Sequence, residues 1–278
     1  MEQVTVAFHR GIPSQTKNGQ WIRSATIRNL TGSDEQMMAD MPPSVPLHSK
    51  VAKLLAAMTS FQEGQSEAMI KKMSVGDRVS LLLNARKLMM GDTISCTVDC
   101  PKCKKSMSVD LSISKLLNIK HPKPENDYEI KACGYAIHVK PLTAEDQDLA
   151  AANSESIDEL VQNMARACIV QSEPDLPAEL PEAILEAIGS QIEEIDPLSD
   201  ISFNLSCAEC NHAFQASFDA EDFIFREIGV SRYQQLEREI HWLAFHYHWS
   251  EKEILSLPSS KRKRYVELVN ATLAGESV

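Results

Sequence analysis

Two Cys-x-x-Cys pairs are the residues of this chain best suited to chemistry. Cys100 and Cys103 lie in the segment ISCTVDCPKC, and Cys207 and Cys210 lie in ISFNLSCAEC. A structural zinc ion takes four ligands in a closed tetrahedron, and a Cys-x-x-Cys pair at the tip of a hairpin supplies two thiolates. The two pairs together therefore predict one structural Zn2+ site with four cysteine ligands.

An internal repeat accounts for the long separation of the two pairs. Residues 104–206 lie between them, whereas the pairs of an ordinary zinc ribbon lie about 15–20 residues apart. The two segments nevertheless align at a shift of 107, which places Cys100 opposite Cys207 and Cys103 opposite Cys210. Two copies packed around a pseudo-twofold axis would bring their hairpin tips together. We therefore expect each copy to donate one pair to a shared ion.

The other three of the seven cysteines are predicted to be buried thiols. Cys96 aligns with Phe203, so its position behaves as an apolar strand position. Cys133 lies in a short predicted strand, and Cys168 lies on the apolar side of a predicted helix. The odd number of cysteines and a start without a signal peptide indicate a reducing cytoplasm, where disulfides are rare.

Other metal chemistries fit the pattern less well. Two separate two-cysteine sites would need further ligands, and His212 after the second pair aligns with Lys104 or Lys105 after the first. An iron–sulfur cluster also takes four thiolates, and a redox Cys-x-x-Cys usually opens a helix rather than joining two strands. Four sulfur ligands leave the ion no open position, so the pattern predicts a structural site rather than a catalytic one.

Motifs of catalysis are absent from the sequence. It contains no Gly-rich phosphate loop, no nucleophile elbow and no H-E-x-x-H. The histidines of HWLAFHYH, which are His241, His246 and His248, lack the i, i+4 spacing of a helical metal pair, so they are predicted to be packing residues. We therefore expect no enzyme, no catalytic or cofactor-binding residues and no small-molecule substrate.

The elements that would position the cysteines are repeated as well. NLTGSDEQ and PLTAEDQD align at a shift of 112, and each has the spacing of a helix capping box, Thr31 with Asp34 and Thr143 with Asp146. Each box follows an alternating stretch that predicts a strand, WIRSATIR or YAIHVK. Helical segments and a cysteine-tipped hairpin follow in both copies. One change of loop length would explain why the shifts of 112 and 107 differ.

These patterns predict an α+β fold in which a tandem duplicated strand–helix–hairpin unit shares the four-cysteine zinc site. The first copy is predicted at residues 1–120 and the second at 128–222, joined by the proline-containing connection HPKPEND. Residues 223–278 predict a C-terminal helical hairpin whose last helix runs from about residue 259 to 273.

The charge balance restricts the class of partner. The formal net charge is −11 and the pI is about 5.2, so the field of the chain repels nucleic acid and anionic lipid. The sequence contains no run of 18 apolar residues, so it predicts no membrane span. We expect a basic protein surface as partner, and neither nucleic acid nor membrane. The basic run at 261–264 is an exception, either a solvated helix face or a small docking patch for an acidic group.

Most of the chain resembles, in the right order, a known family. IRNLTGSDEQ, LLLNARKLMMGDTISCTVDCPKC, VKPLTAEDQDLAA, LSCAECNHAFQASFD and HWLAFHYHWSEKEILSLPSSKRKRYVELV are similar to the zinc-knuckle baseplate proteins of contractile-tailed bacteriophages and related contractile injection systems. Such proteins are described as baseplate hub components or baseplate hub assembly chaperones. One departure is Lys104, where the family commonly has glycine after the second cysteine; Asn211 at the equivalent place tolerates a left-handed conformation.

The resemblance implies a non-enzymatic structural role. Its expected partners are other baseplate proteins of the hub, spike or wedge, and its expected location is the virion tail baseplate or an injection-system particle made in the host bacterial cytoplasm. One alternative is a hub assembly chaperone that is absent from the mature particle. Less favoured alternatives are a zinc-ribbon nucleic-acid-binding protein, which would need a basic face, and a metalloenzyme, which would need an open metal position.

Overall fold

A computed structural model describes residues 3–14, 20–64, 66–228 and 230–275 of the chain. Within these residues it is a mixed helix and sheet structure that ends in helices, which confirms the predicted fold class. Two lobes of related structure are named here the first lobe, β1 to α5, and the second lobe, β6 to α9. The C-terminal helices follow them.

The first lobe contains β1 Gln3–Pro13, β2 Trp21–Arg28, α1 Gly32–Ala39, α2 Leu47–Met58, β3 Thr59–Ser60, α3 Ser66–Lys71, α4 Val75–Met90, β4 Thr93–Asp99, β5 Ser106–Ser112 and α5 Ile113–Leu117. The second lobe contains β6 Tyr128–Ala132, β7 Tyr135–Val139, α6 Ala144–Ala152, α7 Ile157–Cys168, β8 Ile169–Glu173, α8 Glu182–Ile195, β9 Ile201–Ser206, β10 Ala213–Phe218 and α9 Ala220–Ile228. The C-terminal helices are α10 Val230–Tyr247, α11 Glu251–Leu255 and α12 Ser259–Leu273.

Both lobes have the same sheet topology. Each has a three-stranded antiparallel sheet, in the order β1-β2-β3 or β6-β7-β8, and a separate hairpin, β4–β5 or β9–β10. The sequence predicts β2 and β7 but predicts no third strand in either copy. In the second lobe this difference arises because the apolar helical pattern of α7 continues into Ile169, where the extended backbone begins; in the first lobe the strand is only two residues long and begins at Thr59.

The predicted capping boxes are present. The Asp34 carboxylate accepts from the Thr31 amide at 2.8 Å, and the Asp146 carboxylate accepts from the Thr143 amide at 3.0 Å. Each carboxylate also pairs with a cation at the end of the preceding strand, Arg28 in one lobe and Lys140 in the other. The box therefore fixes the start of the helix and the angle at which the strand leads into it.

The two copies differ in loop length at two places, not at one. The shift is 112 at the capping boxes, falls to 110 from Leu47 to Ile157 at the second helix, and falls to 107 from Val75 to Glu182 at the long helix. The second change lies where the first lobe has α3 and the second lobe has the proline-containing segment 174–181. The second lobe therefore lacks a counterpart of α3.

The C-terminal helices repeat the pairing of α3 with α4. At a shift of 184, Ser74 before α4 corresponds to Pro258 before α12. Ser74 forms a β-bridge with Thr143 of the second capping box, and Pro258 forms one with Thr31 of the first. The α3–α4 pair of the first lobe thus docks on the second lobe, and α11–α12 dock on the first lobe in the same manner.

A buried arginine lies at the same place in both of these docked pairs. Arg78 donates to Glu221 at 2.6 Å and to Gln147 of α6 at 2.7 Å. Arg262, whose side chain is 1% exposed, donates to Glu239 at 2.8 Å and also to Glu35 of α1. Glu35 and Gln147 occupy equivalent positions at the shift of 112. Each arginine fixes a docked helix pair to the helix that a capping box begins.

The two lobes share one hydrophobic core. Buried side chains of the first lobe such as Leu54 and Leu82 belong to one cluster with Ile137, Ile184 and Ile224 of the second. No helix among the described residues is long and apolar enough to cross a membrane.

A carboxylate also crosses from the second lobe to the first. The Asp196 side chain accepts from the Gly76 amide at 2.9 Å, and burial raises the pKa of this carboxyl to about 6. A Cβ on Gly76 would lie 1.9 Å from this carboxylate, so only glycine fits there.

Arg262→Ala is expected to destabilise the protein by about 3–5 kcal/mol, because it removes a buried cation that pairs with the buried carboxylates of both Glu35 and Glu239. Urea unfolding at pH 7 measures this. Arg264→Ala, an exposed neighbour on the same helix, is the control and should change the free energy of unfolding by less than about 0.5 kcal/mol. Equal effects of the two substitutions would contradict the role given to Arg262.

Candidate metal centre

The cysteine pairs lie at the tips of the two hairpins. The β4–β5 ladder ends at Asp99 opposite Ser106, and the β9–β10 ladder ends at Ser206 opposite Ala213. The first cysteine of each pair directly follows the last paired residue of its hairpin. Each tip therefore projects its thiols from the end of a regular ladder.

The backbone of the two tips is the same. The Cys100 amide donates to the Lys105 carbonyl at 3.0 Å, and the Cys207 amide donates to the His212 carbonyl at 2.9 Å. One residue after the second cysteine, the amides of Lys104 and Asn211 donate to the first cysteine's carbonyl, both at 2.9 Å. These bonds bring the two thiols of each pair onto one side of the turn.

The turn requires a left-handed residue after the second cysteine. The φ angle is 59° at Lys104 and 54° at Asn211. Asparagine tolerates this conformation, but it costs an ordinary residue such as lysine about 1 kcal/mol. The departure from glycine noted in the sequence therefore leaves the geometry of the first tip intact and adds strain to it.

The structure brings the four sulfur atoms together across the lobes. Cys100 Sγ lies 3.7 Å from Cys210 Sγ, and Cys103 Sγ lies 3.6 Å from Cys207 Sγ. All four sulfur atoms lie within 4.8 Å of one another. A tetrahedral ion with metal–sulfur bonds of about 2.3 Å has sulfur–sulfur edges of about 3.8 Å. The donor set therefore fits one tetrahedral ion, and the separations are too long for disulfides.

The electrostatics of the cluster favour a cation. Cys100 and Cys207 are buried, and their partners are half-buried. The Cys103 and Lys102 amides lower the pKa of the Cys100 thiol to about 7. At Cys210 the His212 amide acts to lower the pKa, but desolvation and the neighbouring thiols outweigh it and raise the pKa to about 12. Four sulfur atoms this close repel one another as thiolates, and a divalent ion removes that repulsion.

Two ion pairs hold the bases of the hairpins. Helix α4 leads into β4, and α9 follows β10. Arg86 of α4 donates two hydrogen bonds to Glu227 of α9, at 3.0 and 2.9 Å, and Arg78 pairs with Glu221 one turn or more earlier in both helices. These contacts join an element that enters one hairpin to an element that leaves the other.

The other cysteines are placed mostly as the sequence predicts. Cys168 is buried, and burial raises the pKa of its thiol to about 12. Cys96 is half-buried against the core, and desolvation raises the pKa of its thiol. The prediction for Cys133 is wrong, because this residue is exposed in the two-residue turn between β6 and β7. It has φ 53° and Gly134 has φ 83°, a turn type that the Cys-Gly dipeptide could have indicated.

The cysteines are the only group of three or more His, Cys, Asp or Glu side chains in the described part of the chain that could hold a metal ion. The histidines of α10 and the loop after it are not in that group. His241 stacks with Phe245, and Trp242 meets His246 edge to face, which agrees with the packing role predicted for them.

Comparison with known proteins gives one match. The family model described as T4 bacteriophage base plate protein matches residues 16–224, a range that includes both capping boxes and both cysteine pairs. No curated protein and no solved structure matches the chain.

Lys104→Gly is expected to raise the free energy of unfolding by about 0.5–1 kcal/mol, because glycine adopts φ near 60° without strain. Urea unfolding measures the change. Lys102→Gly lies in the same turn at a residue without a positive φ and should destabilise the protein slightly. A loss of stability with both substitutions would refute the strain assigned to Lys104.

Proposed function

We propose, because the chain belongs to the T4 bacteriophage base plate protein family, that it is a non-enzymatic structural component of the hub region of a contractile tail baseplate or a related injection-system particle. In this proposal a structural zinc ion joins its two halves. The proposed bounds are 1–120 and 128–222 for the halves and 223–278 for the helical extension; helix α9, which includes the last of these boundaries, is described above with the second lobe.

The convergence of the cysteines from both lobes is the observation that carries the zinc proposal. Each close sulfur pair joins one lobe to the other, Cys100 to Cys210 and Cys103 to Cys207. An ion held by all four would cross-link segments more than 100 residues apart in sequence. Structural zinc contributes apparent free energies of about 10–16 kcal/mol, which is comparable with the net stability of a whole domain.

The size of the cluster favours a single ion over an iron–sulfur cluster. Sulfur atoms within 4.8 Å of one another surround one ion, whereas a cluster must also contain several irons and their bridging sulfides. Zinc has the preference for four tetrahedral thiolates that this donor set provides. With all positions taken by sulfur, the ion would serve as a cross-link and would offer no position for a substrate or water.

A structural role also agrees with the rest of the molecule. The two lobes share one core and are further joined by Arg78, Arg86 and Asp196, which suits a subunit that must keep its shape under load. A net charge of −11 favours basic surfaces on neighbouring baseplate proteins of the hub, spike or wedge. Synthesis in the host bacterial cytoplasm fits its free thiols.

The protein purified from cells is expected to contain one zinc per chain, with zinc–sulfur distances of about 2.3 Å by X-ray absorption. Cys207→Ser should lose most of this zinc and much of the soluble protein, because a three-sulfur site no longer closes the cross-link. Cys133→Ser, at an exposed cysteine outside the cluster, is the matched control and should keep both. Equal zinc content and melting temperature in the two variants, or iron in place of zinc, would refute the site.

Purified tails or injection particles should contain this chain in a fixed ratio to other baseplate proteins, measured by quantitative mass spectrometry together with zinc. Presence in assembly intermediates but not in mature particles would instead identify an assembly chaperone. A salt-dependent mobility shift with DNA, which the net charge opposes, would argue for nucleic-acid binding.

A further inference from the structure

Helix α7 of the second lobe exposes a face that its counterpart α2 buries. Both helices have 12 residues, both follow the capped helix, and both run directly into the third strand of their sheet. At the shift of 110, Val51 of α2 corresponds to Val161 of α7. The first is 0% exposed and the second is 46% exposed. Ile157, at the start of α7, is 79% exposed.

Apolar residues nevertheless continue along α7 at helical spacing. Ile157, Leu160, Val161 and Met164 follow i, i+3, i+4, i+7, and Leu149 of the adjoining α6 is 59% exposed. These five residues are called here the α7 face. Leu149, Ile157 and Val161 are exposed, and Leu160 and Met164 are half-buried. Exposed apolar residues grouped on one helix face mark an interaction surface more often than scattered single residues do.

Helices cover the equivalent face of the first lobe. Helix α2 packs against α3 of its own lobe and against α6 and α9 of the second lobe. The second lobe has the segment 174–181 in place of α3. Among the described residues, the helices that follow this lobe, α10 to α12, have their main contacts with α1, α9 and one another rather than with α7. The main contacts of α7 are with α6, α8 and β8, which leave the α7 face open.

The charges at the rim indicate the polarity of the missing partner. In the first lobe, His48 and Ser49 of α2 both contact the Asp148 carboxylate of α6, at 2.6 and 2.7 Å. The equivalent residues of α7 are Asp158 and Glu159, both exposed. Where α2 offers donors to an acidic helix, α7 offers carboxylates, so the complementary helix carries basic residues.

We propose that the α7 face binds a helical element of another baseplate subunit, one with apolar residues at i, i+3 and i+4 flanked by Lys or Arg. This inference rests on the proposed baseplate function. A second copy of this chain fits the α7 face less well. Its helix α1 would have to take the place that α6 has beside α2, and α1 is already covered by α10 and α11. The exposed α7 face and its acidic rim therefore favour a contact with a different subunit.

The test uses the full chain with Val161→Asp and, separately, Asp158→Lys, supplied in place of the wild type during tail assembly. Both side chains are exposed, so zinc content and melting temperature of the purified variants should match the wild type. Incorporation into tails, by quantitative mass spectrometry, should fall at least tenfold. Val170→Asp changes an exposed valine outside the face and should assemble normally.

The outcomes separate this inference from the function on which it rests. Wild-type protein absent from tails would refute the baseplate role itself, whereas normal incorporation of folded Val161→Asp would refute only the α7 contact. A photo-crosslinking residue at position 157 in purified tails should attach to a basic helical peptide of a different subunit. Attachment to this chain's own sequence, or a dimer in sedimentation that Val161→Asp dissociates, would overturn the proposal in favour of a second copy.

Discussion

The structure depends on the requirement that two hairpin tips from separate lobes meet within 4.8 Å. A two-stranded hairpin is only marginally stable alone, so the tips can meet only if the bases are fixed. The bases are fixed by the shared core and by the ion pairs between α4 and α9. A small rotation of one lobe at the base would separate the sulfur atoms at the tip, because each hairpin extends six or seven residues from its base. The positions of the four cysteines therefore depend on how the two lobes pack against each other.

The same docking contact is used twice to build this packing. A short helix and a long helix, with a buried arginine in the first turn of the long one, lie against the helix that a capping box begins. Arg78 makes this contact between the two lobes, and Arg262 makes it between the C-terminal helices and the first lobe. A buried arginine is costly unless its donors are paired, so the contact forms only in one register. The two uses make the C-terminal helices part of the packed body that positions the cysteine cluster.

The sequence predicts the repeat, the capping boxes and the convergence of the cysteines because these depend on local chemistry. A Thr with an Asp three residues later, or two cysteines with two residues between them at a hairpin tip, has the same meaning in any fold. It does not predict β3 and β8. Strand β3 has only two residues, Ile169 continues the apolar helical pattern of α7, and only pairing with a neighbouring strand makes these segments extended. The roles of Arg78 and Arg262 are also missed. The basic run at 261–264, which includes Arg262, is predicted only as a solvated helix face or a small docking patch, and nothing near Arg78 in sequence indicates its partners. Their burial depends on Glu35, Gln147, Glu221 and Glu239, which are far away in sequence.

Among the described residues, the long helix α8 of the second lobe does not dock on a capped helix as α4 and α12 do. Leu180 before α8 corresponds to Leu257 before α12, whose carbonyl accepts from Gly32 of a docked capping box. Among the described residues, no second backbone segment forms the equivalent hydrogen bond at Leu180. The Gln162 side chain of α7 instead donates to its carbonyl and accepts from its amide, both at 2.9 Å. The Gln162 side chain thus satisfies both the carbonyl and the amide of Leu180. Leu180 therefore has no backbone group left to pair with another capped helix. Gln162, which bonds to Leu180, and the α7 face belong to the same helix. The association proposed for the α7 face therefore does not compete with the contact at Leu180.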